Sequence, residues 1–252
     1  MHDHTPVSTP VASAPPAPEI EPGATVEVPQ PLGVVLYQSA AFALSALLSP
    51  YLVIPVGTVG IVASQPVPAG INSRRILILW TSLSVFFSTV IPALYVVTQI
   101  WRGKITDVHV MEREQRGGPF LVAIFSSAIG ALVLKSVDFY GAEAPAAVWG
   151  IGVVLTINGL IMLWISSFWK ISMHLAVLSA TVLAATVTIP DTSPWQFVWM
   201  IPALLWARVV RGRHSVGQGI MGCVVACLVT GVVLYSINLW PRFMQMLHRL
   251  GG

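Results

Sequence analysis

The chain has 252 residues, 55% of them hydrophobic and only 9% charged, with a formal net charge of +3 and a mean hydropathy of +0.79. Soluble domains carry about 25% charged residues, so too little polar surface is available here to coat a globule in water. An ordinary soluble enzyme is excluded, and an integral membrane protein remains.

Residues 1–30, "MHDHTPVSTPVASAPPAPEIEPGATVEVPQ", hold seven prolines, four acidic residues and no Lys or Arg. This composition predicts a disordered Pro/Ala-rich tail. It lacks the basic region and apolar core of a secretory signal. The transmembrane domain is expected over 31–252. The apolar run 33–64 is interrupted by Ser49-Pro50 and Pro55. It reads either as one kinked span or as an interfacial helix followed by a span.

Six further apolar runs follow, at 76–100, 119–140, 146–168, 171–189, 195–210 and 216–238. A span needs about 20 residues, and runs this continuous do not alternate as barrel strands do. The fold class is therefore all-α, a polytopic helical bundle. Pro202 is expected to kink the short run 195–210. Trp80, Trp101, Trp149, Trp169, Trp195, Trp206 and Trp240 fall near span ends, as in an aromatic belt. Lys135 lies inside a span, where it can snorkel or pair with Asp138. Cys223 and Cys227 are four apart in an apolar run and read as small apolar residues. Asn158 reads as an interhelical hydrogen-bonding group, and Gly217, Gly219 and Gly222 as close-packing positions.

Tracing the six runs puts the loops 101–118, 169–174 and 208–215 on one face. That face collects Arg102, Lys104, Arg113, Arg116, Lys170, Arg208, Arg211 and Arg213. Cytoplasmic loops are enriched in Lys and Arg, which alone accounts for the number. The spacing says more. His174 opens one span after "KIS", and His214 precedes another after "RVVRGR". Free N–H groups and the dipole make helix N-termini anion sites. Cations add charge-assisted hydrogen bonds suited to phosphate. Histidine can move protons or accept a phosphoryl group near neutral pH. Arg211 and Arg213 flank Gly212 and read as contacts to lipid head groups.

These residues resemble the type-2 phosphatidic acid phosphatase (PAP2) superfamily, whose motifs are K-x6-RP, PSGH and SR-x5-H-x3-D. Here "ARVVRGRHSVGQ" gives Arg208, five residues, His214, three residues and Gln218, and "KISMH" gives Ser172-x-His174. The resemblance covers about 76–240. It implies a six-helix core, with the kinked or interfacial segment added before it. It implies His214 as nucleophile forming a phosphohistidine and His174 as general acid. Lys170, Ser172 and Arg208 would then hold phosphate oxygens. The substrate would be a lipid phosphate or prenyl (pyro)phosphate drawn from among membrane lipids. No metal or other cofactor is expected, and no nucleic-acid partner. A multi-pass protein of a bacterial-type plasma membrane is the corresponding location.

The chain departs from the family at Ala207, Ile171 and Met173, and its first motif is not recognisable. The loop "MEREQRGGP" offers Arg113 and Arg116 as substitutes. Gln218 stands where the family's aspartate orients the nucleophile. It can accept a hydrogen bond from His214 but cannot stabilise its developing charge. In a serine-protease triad the Asp-to-Asn change costs about 10⁴ in rate. A non-catalytic lipid-phosphate binder or assembly protein on the same scaffold is thus the alternative. A slighter resemblance links "DVHVMEREQR" to a UbiA-type prenyltransferase loop, without the paired Asp-rich motifs that enzyme needs. The charge count alone puts the site face in the cytoplasm, and the resemblance implies the opposite side. With six candidate site cations removed, Arg102 and Lys104 oppose Arg74, Arg75, Arg242 and Arg249, which tilts the balance outward.

Overall fold

The computed structural model describes residues 31–104 and 117–239, together with 241, 242, 244, 245 and 248. The expected tail at 1–30 lies outside the described residues. Among those described, the regular structure is helical, apart from an isolated bridge between Phe139 and Ala142. The helices are α1 (Leu32–Leu47), α2 (Pro50–Ala63), α3 (Ser73–Trp101), α4 (Gly117–Ser136), α5 (Ala146–Ser166), α6 (Met173–Thr188), α7 (Met200–Val210) and α8 (Val216–Ser236).

Helices α3, α4, α5 and α8 are long and apolar enough to cross a membrane. Helices α1 and α2 meet at a 47° bend and together would make a fifth span. The run 33–64 is thus broken at Leu48-Ser49. Pro50 opens α2, where its missing N–H is one the helix would leave unpaired anyway. The chain is a multi-pass helical membrane protein.

Two expected spans are shorter than their apolar runs. Helix α6 has 16 residues and α7 only 11. Pro202 does not kink a span. It sits in the first turn of α7, where proline loses no hydrogen bond, and Pro194–Gln196 form a separate 3₁₀ turn before it.

Helix α6 is the centre of the bundle. Twelve of its 16 residues are buried, and it packs against α2, α5, α7 and α8. Its hydroxyls do not strand polar atoms inside. Ser179, Thr186 and Thr188 each donate to the carbonyl four residues back, at 2.7–2.8 Å. At its far end Arg242 Nη1 donates to the Thr188 carbonyl at 3.2 Å, a basic group on a helix C-terminus.

Glycines set how closely the helices approach. A Cβ at Gly152 would lie 2.6 Å from the Ser127 carbonyl, so α4 and α5 touch backbone to backbone there. A Cβ at Gly222 would lie 2.8 Å from the Ser172 carbonyl, so α8 is pressed on the start of α6. Gly219 packs under Leu175 and Leu205, whereas a Cβ at Gly217 would meet nothing within 4 Å among the described residues. Asn158 Nδ2 donates to Thr230 Oγ1 at 3.1 Å, joining α5 to α8 as expected of a polar residue in mid-span.

Trp80 is not in the aromatic belt: it is fully buried in the cluster formed with Val62, Ile76, Leu134 and Val148. Trp101, Trp164, Trp195 and Trp199 are exposed, as belt residues should be. Lys135 makes no ion pair with Asp138 among the described residues; its ammonium sits 4.9 Å from the centre of the Trp149 ring. Cys223 and Cys227 are free thiols, half-buried on α8.

Helix α3 carries a π turn at Phe86–Val90, just before Pro92. A proline ring inside a helix clashes with the carbonyl four residues back, here that of Ser88. The wider turn absorbs that conflict.

Candidate functional site

The site is built where α6 and α8 begin and α7 ends. Helix α7 closes in a Schellman turn. Gly212 takes φ +61°, its N–H donates to the Val209 carbonyl at 2.9 Å, and Arg213 N–H donates to the Arg208 carbonyl at 3.0 Å. A left-handed residue favours glycine because a Cβ is crowded there. The turn reverses the chain and carries His214 back beside Arg208. The R-x5-H spacing is therefore the last helical turn plus this closure.

Helix α6 starts after Ser172, whose backbone is extended. Ser172 N–H donates to the Gln218 carbonyl at 3.4 Å, which ties the α6 entrance to the first turn of α8. His174 thus sits in the first turn of a central helix, buried at 7% exposure.

These elements surround a cavity of about 230 Å³ lined by Lys170, His174, Arg208 and His214. Four of the residues singled out from the sequence are brought together, from the 169–174 segment, α7 and the turn after it. Arg208 is only 4% exposed, and its Nη1 donates to Ser45 Oγ of α1 at 3.0 Å. A buried guanidinium in a membrane protein marks a functional site by default. Away from the basic end the lining continues between α2, α3, α4 and α5. It is mostly apolar there, with Ile54, Pro92, Phe120, Ile124, Leu155 and Met162. Ser88, Thr89, Ser127 and Asn158 are the polar groups along it. From Met162 to Val154 on α5 the lining covers about 12 Å of helix rise. One end is cationic and the rest is a narrow apolar slot.

Other expected site residues fall elsewhere. Ser172 Oγ is fully buried without a hydrogen-bond partner among the described residues, and Ser172 does not line the cavity. Gln218 does not line it either. Its Oε1 accepts from Ser215 N–H at 3.1 Å, while Gln218 N–H donates to Ser215 Oγ at 3.3 Å. This is a capping box, and it uses the amide that was expected to orient His214. Arg113 and Arg116 lie outside the described residues. The Arg211 guanidinium lies over the Phe42 ring of α1, 4.7 Å from its centre.

Sequence reasoning missed Ser45, the polar groups of the π turn, and Gly212 as a turn residue. Gly212 had a readable signal, a glycine just past an apolar run that ends in arginines. Ser45 had none, because it lies 163 residues from Arg208. Among the described residues no three His, Cys, Asp or Glu side chains gather as a metal site.

The arrangement offers two imidazoles and two cations at one end of an apolar slot. An anion with an apolar tail satisfies both ends. The chain matches no protein-family model, no curated protein and no solved structure.

Proposed function

We propose that the protein is a membrane phosphatase acting on a lipid phosphate or a prenyl (pyro)phosphate. The observation that carries this reading is the convergence of Lys170, His174, Arg208 and His214 on one cavity with an apolar slot behind them. The cations neutralise non-bridging phosphate oxygens, and that positioning with charge stabilisation is most of what phosphoryl transfer requires. An imidazole nitrogen of His214 attacks phosphorus, forming the P–N bond as the P–O bond to the lipid breaks. Protonated His174 gives its proton to the departing oxygen, so the lipid leaves as a neutral alcohol, or as a monophosphate if the substrate is a diphosphate. Neutral His174 then takes a proton from water, which attacks phosphorus and releases phosphate, regenerating His214. In this scheme His174, Arg208 and His214 correspond to positions of the PAP2 pattern, from which Gln218 departs.

The position of Gln218 favours a second reading, a lipid-phosphate binder without turnover. Its amide closes the α8 capping box, so this position supports no imidazolium. Phosphate release from a panel of lipid and prenyl phosphates by the purified protein in detergent separates the two, with and without chelator. Release by the wild type that His214→Ala abolishes is the expected result. Binding without release, in the wild type and in Gln218→Asp alike, would establish the binder.

A further inference from the structure

We propose that the N-terminal helix pair is part of the phosphate site, with Ser45 as a positioning residue that holds Arg208 toward the ligand. This rests on the phosphate reading above. Helix α1 contributes no residue to the cavity lining, and its first half is exposed. Three contacts nevertheless fix it to α7 and the turn that follows. Trp206 Nε1 donates to Tyr37 Oη at 3.0 Å, with the rings edge-to-face at 5.2 Å. Arg211 lies over the Phe42 ring at 4.7 Å. Arg208 Nη1 donates to Ser45 Oγ at 3.0 Å, and Ser45 is fully buried.

The three contacts differ in what they can do. The first two hold helix to helix. The third grips a side chain that lines the cavity. A guanidinium is a planar fork of five N–H donors on a long flexible stem. Fixing one Nη1 from behind sets the plane of the fork and removes rotamer freedom before a ligand arrives, which is preorganisation. The break before Pro50 makes this possible. The 47° bend turns α1 onto α7 while Pro50, Tyr51 and Ile54 of α2 form part of the cavity wall. One helix pair therefore supplies both a wall and the seat for the arginine.

The test uses the full chain in detergent and two probes of equal chain length, dodecyl phosphate and dodecanol. The wild type should bind the phosphate more tightly than the alcohol. Ser45→Ala should weaken dodecyl phosphate by about tenfold, since one hydrogen bond to a charged group is lost, and leave dodecanol unchanged. Ser45→Thr should restore phosphate binding. Tyr37→Phe, which loosens α1 without touching Arg208, should behave as wild type. An equal loss for both probes in Ser45→Ala would mean general loosening and overturn the proposal. So would unchanged phosphate binding in Ser45→Ala while Arg208→Ala weakens it, and the phosphate reading would then still stand. No preference for phosphate in the wild type, or no effect of Arg208→Ala, would overturn the phosphate reading and this inference with it.

Discussion

Two helices begin at the site, each after a serine, and each has a histidine within two residues of that serine. They are finished differently. Helix α8 starts with a capping box in which Ser215 and Gln218 satisfy each other's backbone N–H groups. Helix α6 starts at Ser172 with no side-chain cap. At the α8 end two backbone N–H groups, those of Ser215 and Gln218, are taken by its own side chains. The α6 end is sealed from behind by α8, through the close approach of Gly222 and the bond from Ser172 N–H to Gln218. Anion binding at a helix terminus needs backbone donors that nothing else has taken. On the proposed reading the phosphate sits over the start of α6, and α8 serves as the buttress.

The largest test of that contrast is chemical. If the two histidines act in sequence, His214→Ala should leave no measurable phosphate release. His174→Ala should cost about 10²–10⁴, the usual range for a general acid. Burst and steady-state phosphate assays read both. Equal, small losses in the two variants would mean that neither ring reacts.

The buttress itself comes next. Gly222→Ala puts a methyl 2.8 Å from the Ser172 carbonyl, a backbone atom that cannot swing away. Overpacking of this kind costs about 1–3 kcal/mol, to be read as a lower unfolding midpoint in detergent. The same change should weaken lipid-phosphate binding, because it separates α8 from the α6 entrance. Gly217→Ala, with nothing within 4 Å, is the matched control and should lose nothing through crowding.

Turn closure should show a smaller effect. Gly212→Ala forces a Cβ into a left-handed position, which costs about 1–2 kcal/mol. Phosphate affinity should fall with stability, since the same turn places His214. Smallest of all is the direct comparison of the two serines. Ser215→Ala should destabilise by about 1 kcal/mol through the lost cap. Ser172→Ala removes a buried hydroxyl without a partner among the described residues, so it should be neutral or slightly stabilising. Equal destabilisation by both would show that the two helix ends are not finished differently after all.

Much of this architecture was legible in the sequence, for particular reasons. The apolar runs of α3, α4, α5 and α8 announce themselves because lipid demands continuous hydrophobicity. Arg208 and His214 were legible as a pair because a helix end and a tight turn impose a short, fixed spacing. Gln218 shows the opposite case. Ser215-x-x-Gln218 matches the capping-box pattern, a local role that competes with the alignment of Gln218 on a catalytic aspartate. Pro202 misled because a proline's effect depends on its distance from the helix start, and an apolar run does not show where the helix begins. Trp80 misled because proximity to a span end does not say which way the ring faces. Ser45 was beyond reach, since its role depends on a crossing of α1 and α7 that no local pattern encodes.

Helix α7 has a consequence for the membrane itself. Its 11 residues rise only about 16 Å, against a hydrocarbon core of about 30 Å. Exposed Trp195 and Trp199 precede it, and Arg211 follows it. If α7 stands across the bilayer, groups that prefer the interface are held at roughly half the usual separation along this side of the bundle. The lipids there would then thin locally, or the arginine end would reach below the average head-group plane. Either way, the phosphates of neighbouring lipids would come nearer the depth of Arg208. A lipid would then need to be lifted less far from its leaflet to reach the cavity, and the protein should favour thinner bilayers over thick, sterol-rich ones.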